Sequence, residues 1–550
     1  MKKQPKNSLV IAALLVISII TIIAYYPGMS AGFYFDDKSN FSQHPALQWT
    51  EVSKNALHET LTEAWAKSRP VANISLAITH VYTGLNPAPY HWTNLLIHLA
   101  VGFALFWVIR LMQIHHTDNK GNAWLAALAV FIFLVHPLNI QAVTYVIQRM
   151  TSMATLFLLL AFGSYLTARI QASPARRNAY FAAATVFFLL SIGSKEIGVL
   201  LLPLLVLYEY SFHGTTWRKK YFVDSLSMRK VVSLTGAALL IIAIVLGFWH
   251  LTGGSLYWHE TMPNRDFSGL ERVLTQGRVH FFYLSLLFWP APSRLNLDHD
   301  FLISRGLFEP FSTSLALLAL LFVLLSAIRF LPTRPRLAFP VLAYLLFHSM
   351  ESAPLNLELV FEHRMYLPMT MLAILIGLNS GPFMKNNRNI IYVAVIGVGL
   401  LLSYATYQRN TVWADPIVFL QDAARKSPDK FRPHYNLGTV LGKRGMIQES
   451  RVALERAVVL QPADAKAHNQ LGNVYMYIKQ LDLAEKQYRL AIQYDPEYGL
   501  ALYNLSLILG SQQRYAEQKE VLQQFIEHAE PGLEKQKQWA IGYIGQLNEK

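Results

Sequence analysis

The sequence contains no cysteine and has few charged residues. Of its 550 residues, 15% are Asp, Glu, Lys or Arg, whereas 53% are hydrophobic and the mean hydropathy is +0.27. The absence of cysteine excludes disulfide bonds and thiolate metal sites. Ordinary soluble domains carry about 25% charged residues, so this composition indicates a protein with several membrane spans.

Negative charge is scarcer than positive charge. The chain has 48 Lys and Arg against 34 Asp and Glu, for a formal net charge of +14. Such an excess can mark nucleic-acid binding, but no basic stripe interleaved with aromatic residues occurs. Membrane proteins collect Lys and Arg in their cytoplasmic loops, and we therefore expect no nucleic-acid partner.

Eleven apolar segments are predicted to span the membrane. They lie at 9–26, 91–112, 122–136, 152–170, 178–193, 197–212, 231–251, 312–331, 337–350, 366–382 and 389–407. No small-residue cleavage site follows the first segment, so we expect it to be retained with the N-terminus in the cytoplasm. If segment 281–290 also spanned, five later basic residues would be exported, so the positive-inside rule favours an interfacial or re-entrant segment there.

A 34-residue period begins at about residue 410, where Leu437-Gly438 recurs as Leu471-Gly472. The pattern is that of tetratricopeptide repeats, which pair two helices. It predicts a half-repeat at 413–429, repeats at 431–464, 465–498 and 499–532, and a capping helix at 533–550. The chain would then divide into a membrane domain, 1–407, and a periplasmic repeat solenoid, 408–550, that binds an extended peptide. An assembly scaffold without a role in substrate choice is the alternative.

Polar residues recur at the predicted outer face of the membrane domain. The first outer loop, 28–90, contains the adjacent carboxylates Asp36 and Asp37. The topology brings further candidates to the same face: Arg69, His91, His136, Arg149, Lys195, Glu196, Glu362, Arg364 and Tyr366. Ionisable groups near membrane depth are costly to keep and are therefore candidates for function.

These residue types suit group transfer from a lipid-linked phosphate. Two carboxylates can supply a general base and a group that orients it, while Arg149, Lys195 and Arg364 can neutralise a phosphate. Simpler interpretations stay open. The acid pair can be a solvated loop start, Lys195-Glu196 a local ion pair, His136 a helix end before proline, and His91 with His98 a packed polar contact on one helical face.

Six short stretches occur in a characteristic order: FDD at 35–37, RP at 69–70, HWTNLLIH at 91–98, HPLNIQAV at 136–143, SKEIG at 194–198 and HRMYLP at 363–368. With the repeats that follow, the chain resembles the transmembrane and tetratricopeptide-repeat-containing protein O-mannosyltransferases, which are GT-C glycosyltransferases. The stretches cover almost all of residues 30–370. An acidic pair alone is common across GT-C enzymes, so the ordered set carries the resemblance.

The resemblance implies an all-α, polytopic GT-C membrane domain of about eleven helices followed by the repeat solenoid. It also implies inverting transfer of one sugar from a polyprenyl-phosphate donor to a Ser or Thr hydroxyl. Asp36 would deprotonate the acceptor with support from Asp37, and Arg149, Lys195 and Arg364 would hold the leaving phosphate. Related enzymes use monophosphate donors without a metal, so no metal or other essential cofactor is expected. The remaining candidates would support the site or bind substrate.

The sequence departs from the family pattern at two motifs. Gln148-Arg149 stands where Gly-Arg is expected, and Phe361-Glu362-His363-Arg364 differs from the usual Glu-Arg. The sugar and the acceptor therefore stay open. The compact size, the short loops and the absence of cysteine predict a bacterial inner-membrane protein with an undecaprenyl-phosphate sugar donor and an exported acceptor, such as a pilin or other surface protein.

Three other functions remain to be distinguished. A related enzyme could transfer an oligosaccharide from a pyrophosphate lipid or add a sugar to a glycan, and a pyrophosphate donor would favour dependence on a divalent cation. A non-catalytic membrane scaffold would use only the repeats. A transporter is disfavoured because it requires polar groups near the bilayer midplane, whereas these candidates cluster at one face.

Overall fold

The computed structural model describes residues 7–117, 122–221, 258–262, 265–379, 384–530 and 532–548. Their regular secondary structure is helical, and a single isolated bridge joins Thr261 and Ser268. The prediction of an all-α fold is confirmed. The chain divides into two compact units, of which the second comprises residues 298–300 and 416–550 and the first comprises the rest.

The first unit contains fourteen α-helices among the described residues. They are α1 (Asn7–Tyr25), α2 (Lys54–Glu63), α3 (Pro70–Thr83), α4 (Pro87–His116), α5 (Ala123–Val135), α6 (Ile140–Thr144), α7 (Arg149–Ile170), α8 (Pro174–Ser194), α9 (Leu201–Tyr221), α10 (Gly269–Phe288), α11 (Ser312–Phe330), α12 (Pro335–Ser349), α13 (Tyr366–Asn379) and α14 (Met384–Ala414). Every predicted span overlaps one of these helices except 231–251, which lies outside the described residues.

Six of the described helical segments are long and apolar enough to cross a membrane. They are Ser8–Ser30, Pro87–His116, Val146–Ile170, Glu196–His213, Ser312–Phe330 and Asn389–Ala414. Counting α5 together with Pro137–Thr144, which are bent by 56°, gives a seventh. The chain is therefore a multi-pass membrane protein. The count of eleven spans and the orientation of the chain stay predictions.

Segment 281–290 is mainly the second half of α10. This helix begins with a capping box in which the Ser268 and Glu271 side chains each accept a backbone N–H of the other residue. Its first half carries Glu271, Arg272 and Arg278, which a spanning helix would have to bury in lipid. The apolar half alone is too short to cross a bilayer. The interfacial or re-entrant placement remains a prediction.

The bend after α5 is set by proline. Pro137 disfavours the helical conformation at His136, and α5 ends at Val135. The Nδ1 atom of His136 accepts the N–H of Leu138 at 3.2 Å, and its Nε2 atom lies 3.0 Å from the carbonyl oxygen of Leu287. The histidine therefore closes one helix and starts the next turn. A 3₁₀ turn, the short helix α6 and a second 3₁₀ turn follow before α7 begins at Arg149.

Eight helices occur in the part of the second unit that the structure describes: α15 (Pro416–Lys426), α16 (Phe431–Lys443), α17 (Ile447–Leu460), α18 (Ala465–Tyr477), α19 (Leu481–Tyr494), α20 (Gly499–Ser511), α21 (Tyr515–His528) and α22 (Glu534–Asn548). Helices α16 to α21 form three pairs, one in each 34-residue period. Within the middle pair, a Cβ atom at Gly472 would lie 2.6 Å from the ring of Tyr488. The pattern requires a small residue there because the two helices approach so closely.

Candidate active site

The side chain of Asp37 organises the loop that follows α1. It is fully buried, and its Oδ1 atom accepts the N–H of Ile147 at 2.7 Å while its Oδ2 atom accepts the N–H of Tyr34 at 3.1 Å. Burial raises the pKa of Asp37 to about 8, although the two N–H groups act in the opposite direction. Asp37 therefore holds the loop in place from inside the protein.

Asp36 is only partly buried and follows a strained residue. Its backbone N–H donates to the hydroxyl of Tyr145 at 2.8 Å. Phe35 adopts a φ of 40°, in the left-handed region that favours glycine. Such a residue costs of order 1–3 kcal/mol and persists where its surroundings hold it in place. The left-handed conformation of Phe35 and the hydrogen bond to Tyr145 together fix the backbone from which the Asp36 side chain projects.

Lys195 and Arg364 share one carboxylate, that of Glu351. The Nζ atom of Lys195 lies 2.8 Å from Oε1 of Glu351 and 3.2 Å from Oγ1 of Thr151, and Nε of Arg364 lies 3.9 Å from Oε2 of the same glutamate. Each of the three charged side chains is at most 12% exposed. A narrow cavity lies here, and its lining includes Thr151, Glu351, His363 and Arg364.

Glu351 was not among the residues predicted from the sequence. Burial alone would raise the pKa of its carboxyl group, but the positive charges of Lys195 and Arg364 lower it to about 2. The glutamate is therefore ionised. The one signal for it in the sequence is its position, because it directly follows the predicted span 337–350.

Residues 145–151 connect the acid pair with this basic cluster. Tyr145 and Ile147 bond the Asp36–Asp37 loop. Four residues further along, the hydroxyl of Thr151 donates to Oε1 of Gln148 at 2.8 Å and accepts from Lys195. Because α7 begins at Arg149, its positive N-terminal end also lies in this segment. One short stretch of the chain thus contacts the acid pair at one end and Lys195 at the other.

Arg149 is fully buried, and the partners of its guanidinium among the described residues are neutral oxygen atoms. Its Nε atom bonds Oδ1 of Asn94 at 2.7 Å, Nη1 bonds the carbonyl of Ser75 and Oγ1 of Thr79 at 2.9 Å each, and Nη2 bonds the carbonyl of Tyr90 at 3.2 Å. Within the described ranges, no carboxylate forms an ion pair with it. Arg149 thus ties α3, α4 and α7 together, and contact with a phosphate would require exchanging some of these bonds.

Glu196 pairs with Arg69 across the sequence and not with its neighbour Lys195. Nε of Arg69 lies 3.0 Å from each carboxylate oxygen of Glu196, and Ser68 donates to the same carboxylate. The guanidinium of Arg69 stacks 5.8 Å from the ring centroid of Trp65. This arrangement ties the first loop to the segment between α8 and α9.

The other candidate side chains contact protein groups. Nε2 of His91 lies 2.9 Å from the carbonyl oxygen of Ala31, and Oε1 of Glu362 accepts a backbone N–H at 2.6 Å. The hydroxyl of Tyr366 lies 2.7 Å from Nδ1 of His98. Each contact joins segments distant in sequence, as expected of residues that support a site. Their roles toward substrate remain predictions.

No group of three or more His, Asp or Glu side chains among the described residues is arranged to hold a metal ion. The carboxylates of the site are instead engaged by backbone N–H groups, as in Asp37, or by cations, as in Glu351 and Glu196. That the activity does not depend on a metal ion stays a prediction, which treatment with a chelator would test.

Comparison with known proteins identifies relatives of both parts of the chain. A family model described as "Tetratricopeptide repeat" matches residues 465–498, which confirms the tetratricopeptide pattern in this one of the predicted units. Protein O-mannosyl-transferase TMTC2 of Homo sapiens is 29% identical over 306 residues, covering 52% of this chain and 35% of the relative. Protein O-mannosyl-transferase TMTC3 of Homo sapiens is 22% identical over 532 residues, covering 88% of this chain and 55% of the relative.

The same similarity extends to an insect protein. Protein O-mannosyl-transferase Tmtc3 of Drosophila melanogaster is 23% identical over 543 residues, covering 86% of this chain. The chain spans 58% of that relative. With 35% of human TMTC2 and 55% of human TMTC3, it spans less than two thirds of each of these three proteins. The resemblance to the transmembrane and tetratricopeptide-repeat-containing O-mannosyltransferases is confirmed.

Proposed function

We propose that this protein is an inverting GT-C glycosyltransferase that moves a single sugar from a polyprenyl-phosphate donor to Ser or Thr hydroxyls of an exported protein. The observation that carries the proposal is the arrangement around residues 145–151, which bonds Asp36 and Asp37 at one end and Lys195 at the other. The similarity to proteins named protein O-mannosyl-transferases supports the same reaction class.

Asp36 acts as the general base. Its carboxylate takes the proton of the acceptor hydroxyl as the hydroxyl oxygen attacks the anomeric carbon. The bond from that carbon to the phosphate oxygen breaks on the opposite side, and its electron pair leaves with the phosphate. Attack opposite the leaving group inverts the anomeric carbon. Partial exposure of Asp36 is consistent with contact with the acceptor.

Asp37 positions Asp36. Its buried carboxyl group bonds Tyr34 on one side of the loop and Ile147 on the other. Because burial raises its pKa to about 8, it is protonated over much of the neutral range and places little negative charge beside the base. No second full negative charge then stands next to Asp36.

Lys195 and Arg364 stabilise the departing phosphate. Negative charge builds on the phosphate oxygens as the sugar leaves, and cations fixed in a water-poor site stabilise that charge strongly. Glu351 bonds Lys195 at 2.8 Å and lies 3.9 Å from Arg364, whose Nη1 atom donates to the carbonyl oxygen of Leu359 at 3.1 Å. Arg149 takes the phosphate role only if it exchanges some of its present bonds, and we propose that it chiefly positions α3, α4 and α7.

The proposed donor and acceptor rest on the resemblance to O-mannosyltransferases and on the composition. We propose an undecaprenyl-phosphate monosaccharide as donor, with mannose as the first sugar to test because the relatives are named for mannosyl transfer. The repeats would bind the exported acceptor, a pilin or other surface protein. The site and the repeats would face the periplasm from a bacterial inner membrane.

Intact-mass spectrometry of exported proteins tests the proposal in the native host. Cells would express the wild type, Asp36→Asn, or Glu59→Gln, a control at an exposed residue of the same loop. Loss of a monosaccharide mass in Asp36→Asn alone, at equal protein level, is expected. Unchanged masses in Asp36→Asn, with loss on full deletion, would contradict the base assignment. Transfer by the purified protein should also survive EDTA, whereas inhibition would favour a pyrophosphate donor.

A further inference from the structure

We infer that Glu351 is a built-in counter-anion that occupies the donor-phosphate position and is displaced by the donor. The inference rests on the proposed function, because it assumes that Lys195 and Arg364 bind the phosphate. It adds a residue and a mechanism that neither the sequence motifs nor the similarity to other proteins assigns. Glu351 would act as a positioning residue through the two cations that it holds.

The geometry places one carboxylate between two cations. Oε1 of Glu351 is bonded to Lys195 at 2.8 Å, whereas Oε2 lies 3.9 Å from Nε of Arg364, beyond hydrogen-bond distance. The second contact is therefore loose. The donor phosphodiester has two non-bridging oxygen atoms, as a carboxylate has, and the released polyprenyl phosphate has three terminal oxygen atoms, so either can bridge the two cations. Glu351 supplies a single negative charge for two cations, so it neutralises this pair incompletely and can be exchanged for a phosphate.

The backbone of Glu351 is held by Arg272, and its side chain faces a cavity. Arg272 is fully buried and donates to the carbonyl oxygens of Glu351, Ala353 and Glu358. Three bonds from one guanidinium hold the segment 351–358 against α10. The side chain of Glu351 lines the narrow cavity together with Thr151 and His363. Displacement can therefore be a change of side-chain rotamer without movement of the loop.

Glu351 supplies negative charge to the two cations when no donor is bound. Two buried cations without an anion would carry a large desolvation cost, and each would turn toward other partners. Glu351 keeps Lys195 and Arg364 oriented when no donor is bound. It also competes with the spent polyprenyl phosphate for the same cations. Its return would therefore favour product release, which often limits turnover.

Binding of farnesyl phosphate, a short polyprenyl monophosphate, to the full-length protein in nanodiscs tests the inference. Four proteins would be compared: wild type, Glu351→Gln, Glu351→Asp and Glu358→Gln. Glu358 is the matched control because it lies in the same segment but pairs with Arg265. Glu351→Gln should bind at least about tenfold more tightly than wild type, and Glu358→Gln should bind as the wild type does.

Steady-state kinetics distinguish the counter-anion role of Glu351 from a purely structural role. In Glu351→Gln the KM for the donor should fall together with kcat, because substrate binds more tightly and the phosphate product leaves more slowly. Glu351→Asp, which keeps the charge on a shorter side chain, should have intermediate affinity. If the Gln variant does not fold, the Asp variant alone decides, and affinity no higher than that of the wild type then overturns the inference.

The outcomes separate the inference from the proposed function. Wild-type binding with equal or weaker binding in Glu351→Gln overturns the counter-anion role and leaves the phosphate site intact. Absence of binding in the wild type and in every variant overturns the phosphate site itself, and the inference with it. Tightening in Glu351→Gln but not in Glu358→Gln supports both.

Discussion

The Nζ atom of Lys195 lies 2.8 Å from the Oε1 atom of Glu351, 156 residues further along the chain. The neighbouring residue, Glu196, is engaged by Arg69 instead. Two ion pairs therefore cross between the turn that follows α8 and other parts of the first unit. One joins it to the first loop, and the other joins it to the segment after α12.

Replacing Lys195 tests its role toward the donor. Lys195→Met removes one of the two charges that would stabilise the leaving phosphate, so kcat/KM for the donor should fall about a hundredfold or more. Lys67→Met is the matched control, since Lys67 is an exposed lysine of the first loop. Equal kcat/KM in the Lys195 variant and the control would rule out the phosphate role.

Substitutions of Phe35 test whether the strained backbone at this residue positions Asp36. Phe35→Gly and Phe35→Ala both remove the ring, but only glycine adopts a φ of 40° without cost. The left-handed conformation costs alanine roughly 1–2 kcal/mol. The glycine variant should therefore be the more stable and the more active of the two. Identical unfolding temperatures and transfer rates would show that the loop does not keep this conformation.

Asp37 should make stability depend on pH. Its carboxyl group keeps a proton up to a pKa of about 8 in the folded protein, whereas in the unfolded chain it releases the proton near pH ~4. The folded state binds more protons between these values, so this group lowers the free energy of unfolding as pH rises toward 8 and adds no further change above it.

The pH effect is measured by comparing Asp37→Asn with the wild type. The unfolding temperature of the wild type should fall more steeply than that of the variant between pH ~6 and ~8, and the two slopes should converge at higher pH. The variant also loses one acceptor for the N–H groups, so its absolute stability should be lower. Parallel slopes throughout would mean that Asp37 does not titrate in this range.

The close approach of helices in the middle repeat predicts the effect of a single methyl group. In Gly472→Ala the new Cβ atom meets the Tyr488 ring at 2.6 Å, and such overpacking costs roughly 1–3 kcal/mol. Gly542→Ala is the control because no atom lies within 4 Å of the added methyl group. Thermal unfolding of the full chain should show destabilisation in the first variant only, and equal midpoints would contradict the packing.

The sequence predicts well the features that depend on local pattern. Apolar segments mark the helices because hydropathy is read within each segment, and the 34-residue period marks the repeats because each unit carries the same small residues, such as Gly438 and Gly472. The turn at His136 also follows from the proline after it. These signals require no knowledge of which helices are neighbours.

The partners of the charged residues could not be predicted in the same way. Lys195 and Glu196 are adjacent, which suggests a local pair, but Lys195 ends α8 in an extended conformation with φ −160° while Glu196 begins a turn. Their side chains therefore reach different partners. Arg149 shows the same limitation, because its contacts with Ser75 and Asn94 depend on how α3 and α4 pack against α7.

The most direct test of the account is transfer by the purified protein from a synthetic polyprenyl-phosphate mannose to a Ser- and Thr-containing acceptor peptide. Wild type, Asp36→Asn and the exposed-loop control Glu59→Gln would be compared at equal concentration, with the anomeric configuration of the product determined by NMR. We predict an inverted product from the wild type and the control, and a rate lower by about 10³ for Asp36→Asn. Full activity in Asp36→Asn, or a product with retained configuration, would contradict the account.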